Sequence, residues 1–323
     1  MQKYRVAVLR GGASDEYDLS LRTGEHVFEA LDRDRYDPLD IVITKSGEWL
    51  RDGRIRTPQE MIADVDLVFI ALVGAYGEDG AIQRSLDTAH VPYTGSGTFP
   101  SAIARNKVLT KDTLAALGMR MPRHMLVSAS ARANLVGLVE AIGELFGPHY
   151  IVKQINGTRS LGARFAENKH MLHAALAAAL AEYEQVLVEE FIAGREVTCG
   201  VIERFRDQER YAFPPIEILL PSGVRFFDHE TRTSGVAQEI CPCRFTHEEK
   251  REIEELARMA HEALELSQYS RSDFIVADDG VYFLETNTLP NLAQDSQISK
   301  ALDTVGCSYG EFVNHLVADA LGK

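Results

Sequence analysis

Near its C-terminus the chain reads "SRSDFIVADDGVYFLETNTLPN", which places Asp273, Glu285 and Asn287 around two short apolar runs. Residues two apart on a strand face the same way, so Glu285 and Asn287 share a side. The "DDG" of residues 278–280 is a tight-turn signal between alternating runs, and a hairpin there would set Asp273 beside Glu285. Two carboxylates and an amide are oxygen donors, a set that suits Mg²⁺ better than zinc. The same three residues also fit a solvated polar face of a sheet.

Two further stretches carry chemical possibilities. "YIVKQINGTRSLGARF" has the pattern of a strand, a polar glycine-containing loop and a returning strand. Such a loop can wrap phosphates with backbone N–H groups, with Lys153 adding charge at the strand end; an ordinary hairpin has the same pattern. "LVEEFIAGREVT" joins two strand-like runs through an apolar hinge, Phe191 and Ile192, wide enough in character to receive a flat ring.

These residues need elements to hold them. The first hundred residues alternate buried-strand runs (5–9, 39–43, 67–72) with helical spacing (19–31, 80–89), a βαβ rhythm that predicts an α/β domain with a parallel sheet and covering helices. A ligand then belongs beyond the strand ends, at "RGGASDE" and "VGAYGEDG". Residues 102–117 form a helical pair. Strand, helix, strand, loop, helix and strand follow as far as residue 189. Strands dominate after Gly194, with a long polar loop at 228–242, a helix at 247–266, the hairpin and a last helix at 309–321. There is no internal repeat and no low-complexity linker.

Composition narrows the class. The 323 residues are 45% apolar and 25% charged, as in a soluble globular protein of two or three domains. A net charge of −14 disfavours a nucleic-acid partner, yet leaves room for a nucleotide in a locally basic cleft. Cys199, Cys241, Cys243 and Cys307 lack the paired spacing of a zinc site and predict reduced thiols. The opening "MQKYRVAVLRGG" has no signal-peptide core and no stretch is long enough to span a bilayer, so the expectation is a cytoplasmic protein without a membrane partner.

Taken in order, "VAVLRGGASDEYDLSLRTG", "FIALVGAYGEDGAIQ", "PYTGSGTFPSAIARNKVLTK", "VLVEEFIAGREVT", "SRSDF" and "FLETNTLP" resemble the ATP-grasp superfamily and, within it, the D-alanine–D-alanine ligases, over nearly the whole chain. The resemblance implies three domains: an N-terminal Rossmann-like substrate domain (1–101), a central ATP-grasp domain (102–190) and a C-terminal catalytic ATP-grasp domain with the metal site and an omega loop (191–323), the last two clamping the nucleotide. It implies a ligase that phosphorylates one amino acid's carboxylate with ATP and lets a second amine attack, making D-Ala-D-Ala for peptidoglycan. Alternatives are a paralogue joining other amino or hydroxy acids and a nucleotide-binding homologue without catalysis. Carried over by position, Lys107 and Lys153 would meet ATP phosphates, with Glu189, Phe191, Ile192 and Glu196 around the adenosine. Asp273, Glu285 and Asn287 would hold two Mg²⁺ (or Mn²⁺) ions, Glu285 bridging them. Arg271 would stabilise the transferring phosphoryl group and the oxyanion, Glu16 would take the first ammonium, and Ser296 the second carboxylate. The family also implies a homodimer through the N-terminal domain and a lid at 228–242 that closes on substrate.

Departures gather around the amino-acid pocket. Val73 stands where the family usually has a histidine, and Arg159 where it has a serine, which neighbouring Ser160 would restore by a one-residue shift. Arg232-Thr233 replaces a lysine–tyrosine pair, Asn291 replaces a glycine, and Gln297 replaces an apolar residue. Arg159 and Arg232 bring two guanidinium groups toward the lid, suited to a carboxylate of the substrate or to the ATP phosphates.

Overall fold

The structure is a computed structural model that describes residues 3–157, 162–221, 223 and 236–322. Arg159, Ser160, Arg232 and Thr233, together with the lid as far as residue 235, lie outside the described residues.

Three sheets follow one another along the chain. The first contains β1 (Tyr4–Gly11), β2 (Tyr36–Ile43), β3 (Trp49–Arg51), β4 (Arg54–Arg56) and β5 (Leu67–Ile70), in the order β4-β3-β2-β1-β5. Strands β1, β2 and β5 are parallel, as the βαβ rhythm predicts, but β3 and β4 add an antiparallel edge. The expected all-parallel sheet is therefore mixed: the connections into β3 and β4 are tight turns, too short for the crossover a parallel strand needs. The second sheet, β6 (His124–Ser128), β7 (Tyr150–Gln154), β8 (Arg164–Ala166) and β9 (Gln185–Glu190), has the order β6-β9-β7-β8 and is antiparallel throughout. The third holds β10 (Arg195–Phe205), β11 (Gln208–Ala212), β12 (Ile216–Leu219), β13 (Gln238–Ile240), β14 (Tyr269–Ala277) and β15 (Gly280–Asn287). Strand β13 falls inside the stretch read from sequence as loop; it pairs with β12 through Glu239 and Ile218.

The helices are α1 (Tyr17–Ala30), α2 (Pro58–Ile62), α3 (Ala75–Glu78), α4 (Ala81–Ala89), α5 (Thr98–Arg105), α6 (Lys107–Ala115), α7 (Leu135–Leu145), α8 (Lys169–Glu182), α9 (His247–Ala263), α10 (Gln297–Thr304) and α11 (Tyr309–Ala320). Asn106 separates α5 from α6 and caps the second, its side-chain oxygen accepting from the N–H groups of Val108 and Leu109. Helix α8 starts at Asn168 in the same manner, and its apolar face (Leu172, Leu176, Leu180) covers the second sheet. Helix α10 had no clear sequence signal, being a short run between the hairpin and the last helix.

The cores do not follow the three sheets one to one. Leu9, Phe69 and Leu72 of the first sheet and its loops pack in one cluster with Phe312, Val313 and Leu316 of α11 and with Tyr269 and Leu289. The C-terminal helix thus completes the N-terminal core, which ties the start of β14 to the loops after β1 and β5. Gln268 reinforces this joint: its amide oxygen accepts from Gly95 N and its amide nitrogen donates to Leu316 O.

At the carboxyl end of the first sheet, Ser20 of α1 is fully buried. Its hydroxyl accepts from Gly11 N and donates to Ala71 O, both at 3.0 Å, so it joins the ends of β1 and β5. Ser20→Ala leaves a buried N–H and a buried carbonyl without partners, and chemical denaturation is expected to show a loss of about 2 kcal/mol. An unchanged midpoint would mean that water replaces the hydroxyl there.

Candidate active site

The hairpin β14–β15 turns through Asp278 and Asp279, and its register sets Asp273 opposite Glu285 and Arg271 opposite Asn287. These two cross-strand pairs, with Ser272–Thr286 between them, lie at the meeting of two cavities. Asp273 and Glu285 line a cavity of about 540 Å³ between the second and third sheets. Arg271 and Asn287 line another, of about 510 Å³, that opens toward the first sheet.

The larger cavity has an apolar end and a charged end. Ile151, Ile192, Ile218 and Ile275 line the one, with Phe191 beside them, a chemistry fit for an aromatic base. The Phe191 ring is fixed edge-on to Phe165 at a centroid distance of 5.0 Å. Glu196 sits on the same wall, from the first residues of β10. The charged end carries Lys107, Lys153, Glu189, Asp273 and Glu285. Lys107 Nζ is 3.0 Å from Glu285 Oε2 and also donates to Gly157 O. Lys153 Nζ is 2.8 Å from Glu189 Oε2, and Lys111 Nζ reaches Glu189 Oε1 at 3.1 Å. Burial pushes the Glu189 carboxyl up, but Lys111 and Lys153 outweigh it and hold it at about 2. Burial also brings the Lys111 ammonium down to about 8, against the pull of Glu189.

Arg271 is buried, and its guanidinium grips Asp273 with two hydrogen bonds of 3.1 Å. With both partners buried, this is not a surface ion pair. Thr198 Oγ1 donates to Asp273 Oδ1 at 2.6 Å, so that carboxylate is held from two sides. Buried Asn287 keeps its Nδ2 without a partner. A side-chain amide flips readily, so the unsatisfied end marks where its oxygen would meet a cation. Among the described residues no three His, Cys, Asp or Glu side chains gather as a metal site. The candidate donors are two carboxylates and an amide, a set that fits a hard cation such as Mg²⁺.

Glu16 and Ser296 both line the smaller cavity, with Val73, Glu78, Glu239 and Gln297. Glu16 occupies the N-cap position of α1 without capping it. Gly74, at φ +85°, has the backbone conformation that favours glycine, and a Cβ there would displace the carboxylate of Glu16, whose Oε2 would lie 2.6 Å away. Ser296 caps α10, accepting from Ser299 N at 3.3 Å, and so marks a helix N-terminus at the cavity wall.

Three residues of the site were not singled out from sequence. Lys111 lies one turn beyond Lys107 and lines neither cavity, but it pairs with Glu189 at the wall of the larger one; the spacing of four in "NKVLTK" was its only signal. Glu78 belongs to "GEDG", where turn-like composition hides a buried carboxyl. Glu239 sits in the supposed loop. Its carboxylate accepts from Gln297 Nε2 at 2.9 Å and pairs with Lys300, which explains why a polar side chain at 297 is satisfied. Asn291 also gains a role, its Oδ1 accepting from Thr23 Oγ1 and Ala293 N.

Three sheets whose loops enclose an adenine-compatible cleft and an adjoining polar pocket define an ATP-grasp fold. Known proteins agree. The family models described as D-ala D-ala ligase N-terminus and C-terminus match residues 5–60 with 50–96, and residues 113–318. The D-alanine–D-alanine ligase of Syntrophobacter fumaroxidans is 33% identical, covering 99% of this chain and 98% of its own. That of Leptospira interrogans is 32% identical, with 99% of each covered. Among solved structures, the VanG D-Ala:D-Ser ligase of Enterococcus faecalis superposes with a TM-score of 0.85 at 27% identity, covering 99% of this chain and 100% of that one. The Bacillus anthracis D-alanine–D-alanine ligase complexed with ATP gives 0.81 at 25% identity, covering 99% and 98%. The chain belongs to the D-alanine–D-alanine ligase family, a family of ATP-dependent ligases.

Glu78 supplies a measurement. Burial, then the nearby Glu16 charge, push its carboxyl up to about 8 from an ordinary 4.5. A raised carboxyl pKa favours the fold fully below the unfolded value and loses that contribution as pH rises through the folded one. Thermal stability of the free protein should therefore fall as pH rises between about pH 4.5 and 8, and Glu78→Gln should remove part of that slope. Parallel curves for the two proteins would show Glu78 ionised throughout.

Proposed function

We propose that the chain is an ATP- and Mg²⁺-dependent ligase that joins two D-alanine molecules through an acyl phosphate. The observation that carries this reading is the hairpin itself: one cross-strand pair faces the adenine-compatible cavity and another faces the amino-acid pocket. A phosphoryl group can pass between ligands held on either side only at such a junction.

The roles follow from charge and position. Lys107 and Lys153 draw the polyphosphate into the charged end, and Phe191, Ile192, Glu189 and Glu196 surround the adenosine. Asp273, Glu285 and Asn287 would hold the metal. Bound Mg²⁺ supplies neutralisation of the phosphate charge, so that a carboxylate anion can approach. Glu16 takes the ammonium of the first amino acid and points its carboxylate toward the junction. Arg271, fixed by Asp273, presents a preorganised cation to the transferring group and then to the tetrahedral oxyanion, at no reorganisation cost during the step. Ser296 and the N-terminus of α10 receive the carboxylate of the second amino acid. Its amine displaces phosphate from the acyl carbon. Arg159, Ser160 and Arg232 belong to this reading as lid-side groups for substrate or phosphate.

The same reading makes the chain a three-domain cytoplasmic homodimer acting on small amino acids. None of the described helices is long and apolar enough to cross a membrane. Sedimentation at micromolar protein tests the dimer, and a monomer would reject it.

With ATP, Mg²⁺ and D-alanine, the purified protein is expected to release ADP, phosphate and D-Ala-D-Ala. Glu285→Ala should lower turnover by roughly a hundredfold or more, since it removes charge stabilisation worth several kcal/mol. Turnover unaffected by that change would sink the assignment.

A second reading, a ligase that adds a different second amino acid, is favoured by one observation. The wall beside Ser296 is the hydrogen-bonded pair Gln297–Glu239 rather than an apolar surface. A pocket with polar groups discriminates against a methyl side chain more sharply than an apolar one discriminates for it. On this reading paired D-amino acids give mixed dipeptides with a polar second residue, and Gln297→Leu shifts product toward D-Ala-D-Ala by about tenfold. Equal product ratios from both proteins would remove it.

A further inference from the structure

Lys111 has no exposed surface, and it lines neither cavity. Burying an ammonium is costly unless something requires it, and the reaction assigned above gives it nothing to do. Its position shows what it serves. Lys107 and Lys111 are one turn apart on α6, so they lie on one face of that helix. Lys107 reaches forward to Glu285, while Lys111 reaches under the second sheet to Glu189.

Glu189 stands between two ammonium groups. Lys153, at the cavity wall, meets Oε2 at 2.8 Å, and Lys111 meets Oε1 from beneath at 3.1 Å. The second contact has ion-pair distance without hydrogen-bond geometry, since both Lys111 Nζ and Glu189 Oε1 lack a hydrogen-bond partner. Two cations and one anion leave a net positive charge at that wall. If Lys111 were neutral, Glu189 and Lys153 would cancel, and the buried carboxylate would hold Lys153 as its only counter-ion. A phosphate arriving in the cavity would then have to compete for Lys153 against a desolvated carboxylate, which is a strong competitor in a low-dielectric site.

We propose that Lys111 is a positioning residue for nucleotide binding: by pairing Glu189 from beneath, it frees Lys153 to bind a phosphate of the nucleotide. This rests on the ATP-binding reading of the larger cavity. Lys111 acts only through Glu189 and touches no substrate. Helix α6 thereby serves both ends of the nucleotide site, with Lys107 tied to the hairpin of the third sheet and Lys111 to β9 of the second.

The test is calorimetric titration of a non-hydrolysable ATP analogue with Mg²⁺ into the full chain, alongside steady-state KM values. Lys111→Met is expected to weaken the Kd for the analogue by about tenfold or more while leaving the KM for the amino acid within about twofold. Added to Glu189→Gln, the same change should cost less than about threefold, because the carboxylate that competes for Lys153 is gone. An equal loss in both backgrounds would overturn the proposal, as would an unchanged Kd in Lys111→Met or a parallel rise in the amino-acid KM. Should Lys111→Met not fold, Lys111→Gln is read by the same criteria. Failure of the unaltered protein to bind the analogue would instead overturn the ATP reading on which the proposal stands.

Discussion

Buried charge at the meeting of the three sheets is the constraint around which this molecule is arranged. Arg271, Asp273, Lys107, Lys111 and Glu189 are all buried, and none could remain so without an opposite partner at contact distance. Arg271 and Asp273 pair within β14, and the other pairings cross between elements. Lys107 of α6 meets Glu285 of β15, Lys111 of α6 meets Glu189 of β9, and Lys153 of β7 meets the same Glu189. Any slip of one sheet against another would strand an ion in a medium that tolerates it poorly. The charges therefore fix the relative placement of the sheets as much as the apolar cores do. They also concentrate cations where a polyphosphate would lie, although the chain as a whole carries −14.

The smaller cavity follows a different rule. Glu16 and Glu78 face the same space, and the second carboxyl is kept protonated up to about 8 by burial and by the first. Kept protonated over that range, the Glu78 carboxyl can serve there as a hydrogen-bond donor beside Glu16. On the far wall, Glu239 is occupied by Gln297 and Lys300. Asn291 ties the loop before α10 to Thr23 of α1. Asn291 and Gln297, two of the described positions that depart from the usual family pattern, are thus satisfied by partners within this chain. Val73 is buried, and its carbonyl accepts from Ser14 Oγ at 3.3 Å, so the backbone there does holding work even though its side chain offers no hydrogen bond.

Much of this was legible in residue order, for local reasons. A hairpin needs only a turn and two alternating runs, so the facing of Asp273 and Glu285 could be read from "DFIVADDGVYFLE". Helices with strong caps or long apolar periods, such as α1, α8 and α11, announce themselves in the same way. The mixed first sheet, α10 and β13 did not, because a three-residue edge strand or a two-turn helix carries too few residues for its period to stand out; tertiary neighbours stabilise it instead. The twelve described residues of the predicted site line the two cavities. Lys111, Glu78 and Glu239 escaped notice because burial, which gives each its significance, is a property of the packed chain.

By itself the sequence determined the ligands and their local spacing: which strand ends bear carboxylates, which helix bears two lysines a turn apart, where glycine must stand. Those are matters of backbone period and turn chemistry, which act over a few residues. Only the tertiary structure decided which charge meets which, that Glu189 is shared by two lysines from different elements, and that a helix near the end of the chain completes the core at its beginning. Such pairings join residues far apart in sequence, and their energies depend on the dielectric and the distance that packing alone sets.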